Sequence, residues 1–177
     1  MLVGFLKYPI SFGDKQANFK KINQSLLHLD SIQSFPTYIF LMFFLQKDIP
    51  KGGGLAVLKM LEAFMLRRHI CKERTSQNDD IFSNLLRVRD DTDYVSSIKS
   101  TLAEFFPDDL DFQDSLPKHD FDGRQINRAK YVLTKIEYYK TNNKGEYLVN
   151  DGQDVQLEHI IPEKIIPSDQ FSDAARR

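Results

Sequence analysis

Apolar residues recur every three or four positions through most of the chain, separated by short polar or Pro/Gly breaks, so the pattern predicts a mainly helical fold. The clearest stripe is Leu55, Leu58, Leu61 and Met65, widened by Val57 and Phe64 and running to about Cys71. Ahead of it, Pro50 and Gly52-Gly53-Gly54 break the chain and read as a flexible connection. The preceding run, Thr37 to Lys47, is apolar nearly all round, which suits a helix buried on most sides, with Pro36 at its first position. Ile22, Leu26 and Leu29 give a short helix within 20–29. Residues 1–20, interrupted by Pro9 and Gly13, read as an irregular arm.

Beyond a polar connection at 72–78, a shorter helix is expected over 81–88. Thr92 is placed to cap the next one, on which Tyr94, Ile98, Leu102 and Phe105 share a face, and Pro107 bars its continuation. The acidic stretch Asp108 to Leu116 reads as a loop with a helical turn. After Gly123, Ile126, Ala129, Leu133 and Ile136 form the expected buried stripe of a last helix ending near Lys140. The texture then changes. Tyr147-Leu148-Val149 and Val155-Gln156-Leu157 are β-type runs flanking an Asp-Gly turn. The expected architecture is an irregular arm with a short helix (1–34), a helical, bundle-like domain (35–140) and a short, incomplete β-containing segment of ββα type (141–177).

Charge and composition add mainly exclusions. Lys+Arg number 24 against 25 Asp+Glu, a net charge of -1, so there is no electrostatic case for a dedicated nucleic-acid binder. The nearest basic cluster is Arg67-Arg68-His69 with Lys72 and Arg74. Arg67 and Arg68 end a helix, where positive charge suits the dipole and the terminal carbonyls. That structural role is favoured over phosphate contact, the alternative for both. Cys71 is the only cysteine, which excludes an intramolecular disulfide, and it reads as a small buried hydrophobe. The start lacks a basic leader, and the most apolar run, Tyr38 to Leu45, is far shorter than the roughly 20 residues of a membrane span. A cytoplasmic protein with no membrane association is expected.

One constellation carries chemistry: Glu158-His159 followed by Pro162. An HNH (His-Me finger) nuclease needs an imidazole to take a proton from the attacking water and a divalent metal to stabilise charge on the phosphate. A His on the first strand of a ββα unit, an acidic neighbour on the metal side and a Pro that turns the chain would supply its opening. Alone, the pattern more often marks a partly exposed hydrogen-bonding Glu-His pair. His28, His69 and His119 are too scattered for a zinc site, the acidic residues at 108–114 lack the Gly and Glu of a calcium loop, and the glycines lack the Lys-Ser/Thr of a phosphate loop.

Three stretches upstream give the motif a context. Leu66-Arg67-Arg68-His69-Ile70-Cys71, then Thr75, Asn78 and Ile81-Phe82, and finally Tyr131-Val132-Leu133-Thr134-Lys135-Ile136-Glu137 precede Glu-His-Ile-x-Pro in order. This arrangement resembles the GmrSD-type restriction endonuclease family over roughly residues 35–167. The resemblance implies a helical region followed by a C-terminal HNH domain, with cleavage of modified or foreign phage DNA. It makes His159 the general base, Glu158 the acidic metal-side neighbour and Pro162 the turn of the site, with Mg or Mn as the implied metal. DNA and a ParB-like nucleotide-dependent domain or subunit are the implied partners. No Asn follows Asn150 and no His follows His159, so the second strand and metal-side helix of the site are not found in this chain. The expectation is a truncated nuclease fragment that does not cut DNA alone. The alternative is a non-catalytic helical interaction module that docks on a complete nuclease subunit.

Overall fold

The computed structural model describes residues 16–45, 53–123 and 125–141, with side chains from Lys20 onward. The β-type runs, the irregular arm before Gln16, and Glu158, His159 and Pro162 lie outside the described residues. Seven α-helices are present among those described: α1 (Gln16–Ser31), α2 (Thr37–Phe44), α3 (Gly53–Ile70), α4 (Asn78–Val88), α5 (Tyr94–Ala103), α6 (Asp109–Ser115) and α7 (Ile126–Lys140). Single 3-10 turns sit at Thr75–Gln77 and Leu116–Lys118. The expected helical architecture is therefore observed.

The long stripe of α3 decides the packing. Val57, Leu58, Leu61, Phe64 and Met65 are all buried, and α3 touches α1, α5 and α6. Leu29 and Ile32 from α1 and its end, Phe40 from α2, Ile81 and Leu85 from α4, and Ile98 from α5 complete one continuous core without solvent exposure. Burial on this scale contributes about 1.5–3 kcal/mol for each large aliphatic or aromatic side chain. On α5, Ile98 and Leu102 face inward as the pattern predicts, with Tyr94 and Phe105 packed partly against the core.

Several elements differ from expectation, each for a local reason. α1 is longer than the 20–29 period suggests. α6 is a helix rather than a loop because the Asp108 carboxylate accepts a hydrogen bond from the Asp111 N–H at 2.8 Å, and Asp109 and Asp111 sit in the first turn where negative charge is favoured. Asp93, not Thr92, caps α5, accepting from the Ser96 N–H at 3.3 Å. Gly53 and Gly54, read as part of a connection, instead open α3, and Gly52 lies outside the described residues. Gly54 is buried, and a Cβ on Gly53 would strike the Tyr94 ring and hydroxyl.

Helix ends are closed without glycine. After α1, the Ser34 N–H reaches the Leu29 carbonyl and the Gln33 N–H the Asp30 carbonyl, with Gln33 at φ 58°. After α3, Glu73 and Lys72 repeat the same pair of bonds to Arg68 and His69, with Lys72 at φ 56°. Both are Schellman ends with an ordinary side chain in the left-handed position that usually selects glycine.

Two helices turn an apolar face away from the body. α2 was expected to be buried on most sides, yet only Thr37, Phe40, Leu41 and Phe44 are buried, while Ile39, Met42 and Phe43 are exposed. Among the described residues α2 is covered chiefly by α4, which an eight-residue helix can meet along one side only. On α7 the expected stripe is inverted. Ile126, Leu133 and Ile136 are 38%, 48% and 42% exposed, whereas Arg128 and Tyr131 are buried, with Lys135 next on the same inward face. Of the four stripe residues, only Ala129 is buried.

Candidate functional site

The inversion of α7 has a chemical cause, which is also the densest polar feature of the fold. Glu62 is the one carboxylate on the inward face of α3, and it is buried between α1 and α7. Its Oε2 is 3.0 Å from His28 Nδ1 of α1 and accepts from the Tyr131 hydroxyl of α7 at 2.9 Å. Lys59 Nζ donates to Oε1 at 3.0 Å from the next turn, and Lys135 Nζ stands 3.6 Å from Oε2. Lys135 Nζ also lies 3.4 Å from His28 Nδ1. An Nδ1 that donates its proton to Glu62 cannot also accept from a lysine, so the lysine acts chiefly as a charge beside the carboxylate. The His28 and Tyr131 rings meet edge to face at 5.1 Å.

Burial alone would raise the Glu62 pKa. The His28 hydrogen bond, the neighbouring Ser25 hydroxyl and the charges of Lys59 and His28 outweigh it, bringing the carboxyl from 4.5 down to about 2. Ser25 Oγ lies beside the carboxylate without closing a well-aligned bond. Burial, then the Glu62 charge and its hydrogen bond, push the Tyr131 phenol well above its usual range. A carboxylate held this firmly ionised, with its oxygens already committed to donors, is a poor general base at neutral pH. Two lysines beside it also disfavour a cation, so the cluster does not suit a metal ion. It acts as a buried polar seam joining α1, α3 and α7.

A second polar group gathers at the C-terminal end of α3. Arg68 is buried and donates to the carbonyls of Phe105 and Arg74 and to Gln77 Oε1, at 3.2, 2.9 and 3.1 Å. Arg67 donates to the Pro107 carbonyl and pairs with Asp109, its guanidinium lying over the Phe106 and Phe112 rings. Both side chains thus bind carbonyls that follow α5 and α3 and lie over aromatic rings. Arg128 of α7 does the same for α1, donating from Nε and Nη2 to the Ile32 carbonyl at 3.3 and 3.1 Å. His69 is held between these cations. Burial first, then the charges of Arg128, His119 and Arg68, bring its pKa from 6.5 down to about 4, and its Nε2 is buried without a hydrogen-bond partner. Cys71 is half-buried, and burial raises its thiol pKa, which disfavours a reactive thiolate.

Among the described residues no three His, Cys, Asp or Glu side chains converge as a metal site. Glu158, His159 and Pro162 lie outside those residues, so their mutual geometry is not described. Glu62 is the buried polar centre that sequence reasoning missed. Its signal was present: a single charge interrupting the inward stripe of α3, four residues after Leu58 and three before Met65. Comparison of the chain with protein-family models, with curated proteins and with solved structures gives no match.

Proposed function

We propose that this chain is the helical platform of a GmrSD-type, modification-dependent restriction nuclease acting in the cytoplasm. In this reading the β-containing segment after 141 carries the opening of its HNH site at Glu158, His159 and Pro162. The observation that carries the reading is where its three upstream stretches lie. All three are built into one helical body. Arg68 of the first stretch bonds to Arg74 and Gln77, which directly precede Thr75 and Asn78 of the second, and Tyr131 of the third bonds to Glu62 of α3, the helix that carries the first. Asn78, Ile81, Phe82 and Tyr131 are all buried. Residues of this kind build a scaffold that holds a neighbouring domain, and cleavage is left to residues 158–162 and to the partner that completes their site. Mg or Mn would bind at that completed site.

A second reading, a non-catalytic helical module that docks on a complete nuclease subunit, is favoured by the outward apolar faces of α2 and α7. One experiment separates the two. Incubated alone with modified phage DNA and Mg or Mn, the chain is expected to leave the DNA intact. Together with a subunit bearing the ParB-like domain and the rest of the nuclease fold, it gives metal-dependent cutting that His159→Ala abolishes. Cutting by that mixture at an unchanged rate with His159→Ala would sink the platform reading and leave the docking module.

A further inference from the structure

We infer that the end of the helical body where α1 and α3 begin and α7 stops is a docking face for the phosphate backbone of DNA. The net charge of -1 averages over two unlike poles. Which residues share a pole follows from the bonds between three helices. Arg128, early in α7, reaches the Ile32 carbonyl just past α1, whereas Lys135 stands beside His28 within α1. α7 therefore runs antiparallel to α1. Gln125, at the start of α7, shares His119 with the Ile70 carbonyl that ends α3, while Tyr131 reaches Glu62 two turns earlier. α3 is thus antiparallel to α7 and parallel to α1.

This arrangement gathers Lys20 and Lys21 of α1, Lys59 of α3, and Lys135 and Lys140 of α7 at one end. Lys21 lies about 10 Å along α1 before His28, and Lys140 about 8 Å along α7 beyond Lys135. Lys20, Lys21, Lys59 and Lys140 are exposed, and the Lys135 side chain is 39% exposed. The Glu62 carboxylate neutralises only one of the two ammonium groups beside it. Among the described residues of α1, α3 and α7 the one exposed carboxylate is Asp30, at the far end of α1, where it accepts from the Tyr38 hydroxyl. Glu137 is half-buried. Around the C-terminal end of α3 the balance reverses. Asp79, Asp80, Asp108, Asp109, Asp111 and Asp114 are all exposed there, with Lys72, Arg74 and Lys118 among them.

Lysine is a compact point charge without a fixed fork of donors, which suits phosphates rather than base edges. Tyr138 and Tyr139, 46% and 84% exposed, add hydroxyl donors at the same end. The choice of DNA as the polyanion rests on the nuclease reading, whereas the face itself rests on the placement of the lysines.

The test titrates a short fluorescent DNA duplex with the full chain in EDTA and follows anisotropy. Because EDTA removes the metal, loss of cleavage and loss of this contact are read separately. Affinity should fall about a hundredfold between roughly 50 and 200 mM salt, as for about four phosphate contacts. Lys21→Gln/Lys140→Gln, which leaves the Glu62 cluster intact, should weaken binding at low salt at least fivefold. It should also lower the slope of log K against log salt by about two. Lys59→Gln/Lys135→Gln should do the same, while Lys72→Gln/Lys118→Gln at the acidic pole should change affinity less than twofold. Absence of binding at low salt, an equal loss from the acidic-pole pair, or affinity unmoved by Lys21→Gln/Lys140→Gln would each overturn the inference. Displacement of the DNA by polyglutamate at equal charge would assign the face to an acidic protein and overturn it as well.

Discussion

α3 and α7 are amphipathic helices of 18 and 15 residues with apolar stripes of the same period, and they present them in opposite directions. α3 turns Val57, Leu58, Leu61, Phe64 and Met65 into the core. α7 turns Arg128, Tyr131 and Lys135 toward α1 and α3, leaving Leu133 and Ile136 outside. The difference lies in what each helix meets. α3 meets other apolar stripes, and burial of area decides its rotation. α7 meets a buried carboxylate and the carbonyl that ends α1. An unsatisfied buried charge or carbonyl costs more than leaving an aliphatic side chain half exposed. Periodicity therefore identifies a helix and its stripe, while the side that faces inward depends on the neighbour's chemistry.

The strongest way to break this contrast is to remove the carboxylate. Glu62→Ala strands His28, the Tyr131 hydroxyl and Lys135, and is expected to cost about 4 kcal/mol, against about 3 kcal/mol for Leu61→Ala one residue away. Urea unfolding with an unchanged m-value measures both. A Glu62→Ala cost below 1 kcal/mol would mean that the polar seam does not orient α7.

Acid should loosen the middle and the C-terminal end of α3 in different windows. His69 takes its proton near pH 6.5 when unfolded and only near 4 when folded, so between these values the unfolded chain binds more protons and stability falls as the pH falls. The loss is at most about 3 kcal/mol. Glu62 titrates near 4.5 unfolded and near 2 folded, so its contribution is complete above 4.5 and disappears as the pH drops toward 2. His69→Gln should flatten the urea midpoint between pH 6.5 and 4.5 while leaving the steep loss below 4.5. A midpoint that still falls as before over the upper window would remove His69 from the account.

The smallest effect concerns how the two helices stop. Lys72 closes α3 at φ 56°, whereas Thr141 closes α7 at φ -85°. Lys72→Gly is expected to stabilise the protein by about 0.5–1 kcal/mol by relieving the left-handed side chain, and Thr141→Gly to destabilise it by about 0.5 kcal/mol through lost chain stiffness. Thermal unfolding of both variants reads the sign, and equal signs would refute the distinction.

Much of the helical frame was legible. α3, α4 and α5 follow from stripes most of whose apolar residues join the core, Leu55 excepted, and Pro36 and Pro107 mark the start of α2 and the limit of α5. The Schellman ends were not legible, because Gln33 and Lys72 occupy positions where only glycine would have announced a turn. The start of α3 was misread for the converse reason, since Gly53 serves the approach of Tyr94 rather than a loop. Glu62 was visible only as an interruption of a stripe, with nothing to indicate that His28, Tyr131 and Lys135 would converge on it from 34, 69 and 73 residues away.

By itself, then, the sequence determined that the described part of this chain is built from helices and where most of them lie. Local hydrogen bonding and hydrophobic period act over a few residues, so they can be read along the chain. Only the tertiary structure decided the rotation of α7, the one-sided burial of α2 and the structural employment of Arg67, Arg68 and Arg128. Each of these depends on which distant carbonyl, carboxylate or ring arrives opposite the side chain, and in a buried setting that partner determines whether a charge can be tolerated.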